Sequence, residues 1–411
     1  MKSFLIIPLI FISVFIISFA QAQDDGDPGK QTAVKRNRKA QNEKQDSLSA
    51  ELSLSAGWVS NIFRTPTKAY VDPATGTLTT SQVKAGTVVN PKVELKYEPI
   101  QKKNVNLKLS YEFDGEYYFG SENASNASGN DQEIAIKSKF QLVDRKNEAL
   151  EEVYVKVGAY INQHDYSFYH RGTGKARTTS SLKDEEDRYK RTETGFELEP
   201  RFEFSTKTQV RFPLGLYSRN YNEINNLQSY DRDGVKYGIE LKQEIPKNWS
   251  VKAAFNSENT KYDKYKALSS TGTSVPGTNR EHVDQEYLLG VGYESKLMFG
   301  EIVYRAATRN DLYADYWSYD QEKVSVEIGH FITRSSSVSV EGSLLKRRYQ
   351  KETAPSGEIR KRENQLIRLS YDKTWSWGKT SLDIAHSLQN DTDLYYQYSR
   401  DSVILGFNKE F

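Results

Sequence analysis

The chain has 411 residues, no cysteine, and 57 Lys and Arg against 55 Asp and Glu, a formal charge of +2. Without thiols there is neither a disulfide framework nor the acylated cysteine of a lipoprotein, and so even a charge balance argues against a nucleic-acid binder. Only 37% of residues are hydrophobic while 27 are Tyr and 18 Phe, too few aliphatics for a soluble core of this length.

The first 22 residues read as an export signal: Lys2 is the positive start, Phe4 to Ala20 the apolar run, and Ala20-Gln21-Ala22 a small-x-small cleavage site. Residues 23–46 are polar and basic around Lys35-Arg36-Asn37-Arg38-Lys39, with no apolar periodicity, and are expected to be a flexible periplasmic tail.

From Ser47 to Phe411 the pattern becomes strict apolar/polar alternation broken by turn residues, the signature of a transmembrane β-barrel. Leu48, Ala50, Leu52, Leu54, Ala56 and Trp58 share one face of the first segment, opposite Ser49, Glu51, Ser53, Ser55 and Gly57. Val105, Leu107, Leu109, Tyr111 and Phe113 likewise oppose Asn106, Lys108, Ser110, Glu112 and Asp114. The pattern predicts an all-β fold, a closed antiparallel barrel of about sixteen strands within a range of roughly 14 to 18.

The connections alternate in length. Long ones, rich in Gly, Ser, Asn, Asp and Thr, fall near 61–82, 120–131, 163–189, 221–233, 262–282, 308–318, 351–362 and 389–397, and are expected to face outward. Short turns are expected at Pro99–Lys103, Asp144–Asn147, Ser205–Lys207, Pro246–Asn248, Lys296–Met298, Arg334–Ser336 and Ser376–Gly378, which puts both termini in the periplasm. On the last strand Val403, Leu405, Phe407 and the C-terminal Phe411 share a face, and Phe411 resembles the terminal aromatic by which barrel-assembly machinery recognises its clients.

A barrel of this size leaves a wet interior, so candidate pore-lining residues sit on the polar face. They are Glu193, Glu197, Glu199, Arg201 and Glu203 on one strand, Arg211 and Arg219 on the next, then Arg305, Arg309, Arg347 and Arg368. Two readings stay open: cross-strand charge ladders that stiffen the wall, or a selectivity stripe contacting cargo. The loop from Gln163 to Tyr189, with His164, His170, Arg171 and the charged run Lys183–Arg188, either enters the pore or stays outside. Aromatics near the loop bases, among them Tyr117, Tyr118, Phe119, Tyr166, Tyr169, Trp317, Tyr319, Tyr395 and Tyr398, suit an interfacial belt.

No catalytic residue, cofactor or metal is expected: the five His have no metal-motif spacing. His330 and His386 fall on the apolar face, where lipid hydrolysis would need a serine beside one of them.

At Gly57-Trp58-Val59-Ser60-Asn61-Ile62-Phe63-Arg64-Thr65-Pro66 the chain resembles the opening strand of a family of outer-membrane barrels found in exopolysaccharide export loci, with Val59 where that family has Asp. Asn61, Phe63 and Arg64 are the motif residues, expected to shape the first loop where Pro66 ends the strand. The resemblance implies an outer-membrane location and a channel passing, or supporting export of, polysaccharide, with lipids and export machinery as partners. The alternative is a non-conducting barrel that anchors or displays a surface platform.

Overall fold

Alternation of this kind makes each strand two-faced, and an open edge in a membrane would leave backbone N–H and C=O groups unpaired at several kcal/mol each. The computed structural model, which describes residues 47–411 apart from 73–75, 81, 103, 146–147, 176–188, 223–229 and 247, resolves this by closure. The signal at 1–22, the tail at 23–46 and the run Lys183–Arg188 lie outside the described residues.

The barrel strands are β1 (Ser47–Val59), β2 (Gly86–Lys102), β3 (Val105–Phe119), β4 (Gly129–Asp144), β5 (Leu150–Tyr166), β6 (Arg191–Phe204), β7 (Thr208–Arg211 with Leu214–Tyr221) and β8 (Arg232–Ile245). They continue as β9 (Trp249–Tyr262), β10 (Glu281–Glu294), β11 (Met298–Asp311), β12 (Tyr319–Thr333), β13 (Ser336–Thr353), β14 (Ile359–Trp375), β15 (Gly378–Asp391) and β16 (Tyr398–Glu410). Each pairs antiparallel with its sequence neighbours, and β1 pairs with both β2 and β16, which closes a sixteen-strand barrel. The closing ladder reaches the last residue, where Phe411 N donates to Ala50 O at 2.8 Å.

The apolar face points outward and is bare: Leu54, Leu216, Leu289, Ile328, Ile367 and Leu405 are all exposed. An apolar band running round a whole barrel far exceeds the few hundred Å² that a soluble monomer leaves uncovered, so this surface calls for lipid. Near the short turns Trp375 stacks on Trp377 at 5.8 Å and Trp377 on Phe407 at 5.6 Å, an outward aromatic girdle.

Several boundaries differ from the sequence reading. β2 runs past Pro99 as far as Lys102, inside the turn expected at Pro99–Lys103, because a register shift between Tyr97 and Ile100 absorbs the proline without ending the ladder. β13 and β14 extend into the expected loop at 351–362, leaving only residues 354–358 as connection. β7 is broken at Phe212–Pro213, where proline has no N–H for the ladder; Phe212 N turns to Pro200 O (3.0 Å) and Gly238 N to Pro213 O (2.9 Å) instead. β1 ends at Val59, well before Pro66.

Candidate functional site

Because period 2 sends alternate residues to opposite faces, Glu193, Glu197, Glu199, Arg201, Glu203, Arg211, Arg219, Arg305, Arg309, Arg347 and Arg368 lie on the face opposite the exposed apolar residues of their own strands, such as Phe196, Leu216, Ile302, Leu344 and Ile367, and so face the interior. Most are engaged. Arg219 Nε donates to Glu193, whose carboxylate also accepts from Tyr160 OH at 2.7 Å. Arg309 forks onto Asp284 at 2.7 and 2.8 Å, Arg347 holds Gln321 at 2.9 and 2.6 Å, Arg368 reaches Glu341 at 3.1 Å, and Arg305 lies 3.5 Å from Glu286.

The charges of β6 and β7 neutralise one another only in part, through Arg219 and Glu193. Arg211 faces Arg201 across the ladder and takes its partner from β8, Glu240 at 3.5 Å. Glu199 is shared by Lys156 and Arg201, both at 3.2 Å, and Glu203 accepts from Tyr154 OH at 3.5 Å. Glu197 forms no ion pair among the described residues and lines, with Asp131, Glu133 and Glu193, a polar recess of about 380 Å³.

Nor do opposite signs meet everywhere across strands. Glu51 stands opposite Glu94, Glu94 opposite Glu112 and Glu112 opposite Glu133, an acidic row over four adjacent strands, with Asp114 opposite Asp131 in the next row. Like charges in directly opposed positions repel. Here relief comes along the strand and diagonally, from Lys96 to Glu94 (2.7 Å) and from Lys92 to Glu112.

The first long loop does not stay outside. Ile62 and Phe63, 1% exposed, pack with the inward-facing Val59, Val88 and Tyr118 and with Ala124 and Ala127 of the next loop's short helix. Asn61, also sealed from solvent, ties the turn: its Nδ2 donates to Thr65 O (2.9 Å) and Ser399 O (3.1 Å), and Thr65 N donates to its Oδ1 (2.8 Å). The described part of the third long loop locks onto this plug. Thr65 Oγ1 donates to Arg171 O (2.8 Å), His170 Nε2 meets Asp72 at 2.9 Å, and the rings of Phe63 and Tyr70 sit where side chains on Gly174 and Gly172 would otherwise be. Tyr395 of the last loop closes the cluster against Tyr70 and His170.

The motif residues Asn61 and Phe63 thus build a cap inside the mouth formed by the long loops, on the β16–β3 side. Arg64 takes a left-handed turn position at φ 52°. Burial alone would lower its guanidinium, but Tyr398, Tyr169, Tyr118 and Glu116 around it raise it above the ordinary value, so it stays charged. Of the partners in this cap, Tyr70, Asp72, Gly172 and Gly174 carried no sequence signal beyond small residues between bulky ones.

The belt assignment divides by parity. Phe119 and Tyr313 are exposed, whereas Tyr118 and Tyr166 lie on the inner face of their strands and Tyr395 is buried in the cap. On the outer face His386 Nδ1 pairs with Asp401 at 2.6 Å, and Ser60 Oγ also lies against Asp401, at 3.4 Å. The carboxylate stands between serine and imidazole, not the imidazole between serine and carboxylate, so these three residues do not form a nucleophile–base pair. In the ladder His330 stands opposite Met298 and Val338.

No protein-family model matches the sequence, and no curated protein matches it. Among solved structures the chain is similar to OccAB1 of Acinetobacter baumannii (10% identity over 89% of this chain and 96% of that one, TM-score 0.46). It is also similar to OccK1 (OpdK) of Pseudomonas aeruginosa (8%, 89% and 99%, TM-score 0.45) and to OmpT, an outer membrane protein of Vibrio cholerae (8%, 89% and 97%, TM-score 0.46). At these identities the likeness is one of fold, and the barrel's closure stands on its own ladder of hydrogen bonds.

Proposed function

We propose that the chain is a channel of the bacterial outer membrane, with both termini periplasmic, that admits oligosaccharide or supports the export of polysaccharide by passive diffusion. The observation that carries this reading is a closed sixteen-strand wall whose inner face is charged from end to end and still open to water: side chains such as Arg305 (44%) and Glu301 (43%) remain substantially exposed. A wall of paired charges passes polar cargo without holding it tightly. The polysaccharide assignment draws on the Asn61–Pro66 motif and its resemblance; the candidate pore-lining residues given above form the proposed path.

A second reading, a non-conducting anchor or surface platform, draws on the cap, which occupies the outer mouth along β16 to β3. Single-channel recording of the refolded barrel in a planar bilayer, with neutral and anionic oligosaccharides added, separates the two. Stepwise conductance reduced by a sugar is expected; folded barrel that never conducts overturns the channel and favours the platform.

A further inference from the structure

At the outer mouth across from the cap, between the ends of β9, β10 and β11, lies a group of side chains that the channel wall does not employ. Arg280 is 8% exposed, and its guanidinium has no hydrogen bond or ion pair among the described residues; its Nε is sealed without a partner. It is held by rings instead, 4.7 Å from the centroid of Trp317, 5.2 Å from Tyr262 and 5.9 Å from Tyr265. Its backbone is pinned, with Arg280 N donating to Tyr265 O (2.8 Å) and Tyr262 N to Arg280 O (2.9 Å), so the fork has a fixed base.

Nearby carboxylates are committed elsewhere. Asp311 accepts from the N–H groups of Tyr313 and Trp317, each at 3.3 Å, and Asp284 is taken by the fork of Arg309. Burial pulls the Arg280 guanidinium below its ordinary value, outweighing the opposing pull of Tyr262, Tyr265 and Asp311.

Two further buried polar atoms beside it lack partners: Trp317 Nε1 and His282 Nδ1. His282 is 2% exposed, its ring 5.9 Å from Tyr262, and its Nε2 lies 3.4 Å from Asp284. A proton on Nε2 facing that carboxylate leaves Nδ1 as an acceptor. The cluster therefore offers an unpaired planar fork and an indole N–H, both donors, and an imidazole lone pair that accepts, among three aromatic rings. Buried polar groups are nearly always satisfied, so three unsatisfied ones gathered about the Arg280 guanidinium and the Tyr262 ring it shares with His282 call for a ligand that supplies the missing partners.

We propose that Arg280, His282 and Trp317 form a binding site for an acidic sugar. Its carboxylate takes the Arg280 fork and the Trp317 N–H, one hydroxyl donates to His282 Nδ1, and the ring's C–H face lies against the aromatic walls. Neither a bare anion nor a neutral sugar satisfies all three. The site rests on the channel reading for its role as a first contact for cargo, but not for its existence.

The test is isothermal titration of the barrel folded in detergent with glucuronate, glucose and acetate. Saturable binding of glucuronate is expected, with glucose and acetate far weaker. Arg280→Gln should weaken glucuronate by at least roughly tenfold, as loss of a charge-assisted pair does, and Arg280→Lys by less. If Arg280→Gln fails to fold, shown by loss of the compact unheated form on gels, Trp317→Phe keeps the ring, removes the N–H and should still weaken binding. No saturable binding, or unchanged affinity in the variants, overturns the site even if the barrel conducts; acetate binding as tightly as glucuronate overturns the sugar. Binding by a barrel that never conducts sustains the site and overturns the channel.

Discussion

Asn61 shows how one buried amide can hold a plug in place. Asn61→Ala strands the N–H and C=O of Thr65 and the C=O of Ser399, at a cost of about 1–3 kcal/mol. The barrel should still fold, while trypsin cleavage after Arg64 or Lys68 accelerates; cleavage at the wild-type rate would remove Asn61 from that role. Glycines in the outer loops can be ranked in the same way. Gly174 and Gly357 both have positive φ, 69° and 82°, but a Cβ on Gly174 meets the Phe63 ring at 2.3 Å and one on Gly357 meets nothing within 4 Å. Gly357→Ala should cost about 1 kcal/mol of strain alone, whereas Gly174→Ala also unseats Phe63 and frees the first loop to protease. Tyr70 is sealed from solvent with no partner for its hydroxyl among the described residues. Burial, then the nearby Asp72 carboxylate, push its phenol from 10.0 up to about 12. The neutral form is therefore favoured in the fold: its contribution to the cap is complete below pH 10 and fades as pH rises toward 12. Protease sensitivity of the first loop should rise over that window, and Tyr70→Phe should be no less stable and lose the dependence.

At the scale of strands, two features set what the wall can do. Like-charged rows arise because register, not sequence spacing, decides which side chains stand opposite one another: Glu94, Glu112 and Glu133 are far apart in the chain and adjacent only through the β2–β3 and β3–β4 ladders. Pairs such as Asp284 with Arg309 balance the wall elsewhere. Asp284→Asn leaves that arginine uncompensated, so the reversal potential of the channel should move toward anion preference. An unchanged potential would mean that the ions do not pass along β10 and β11. The closing seam is the other feature. Deleting Phe411 removes its two hydrogen bonds with Ala50 and the outward terminal ring. Assembly in cells should fall several-fold while refolding in detergent persists, if Phe411 serves as the insertion signal; equal loss in both settings would make it a structural closure alone.

For the molecule as a whole, alternation was enough to read the class of fold. Val105–Phe119 declares two faces by its own residues, and once both faces repeat along the chain only closure leaves no edge. Loop positions and the inward set of charges followed from the same period. Strand ends were less legible, because Pro99 and Pro213 look alike as breakers, yet one is absorbed by a register shift and the other splits a strand; which occurs depends on the neighbouring ladder. The site was legible only as a list of inward residues. By itself the sequence determined the barrel, a count of about sixteen crossings and the two faces of each strand, since alternation depends on a local period of two. Only the tertiary structure decided that Asn61 and Phe63 fold inward as a plug, that acid faces acid across β1 to β4, and that Arg280 lies against Tyr262 and Trp317 with no ion-pair partner among the described residues. Those contacts join residues from separate strands and loops, and their energies exist only once the ladder has brought them together.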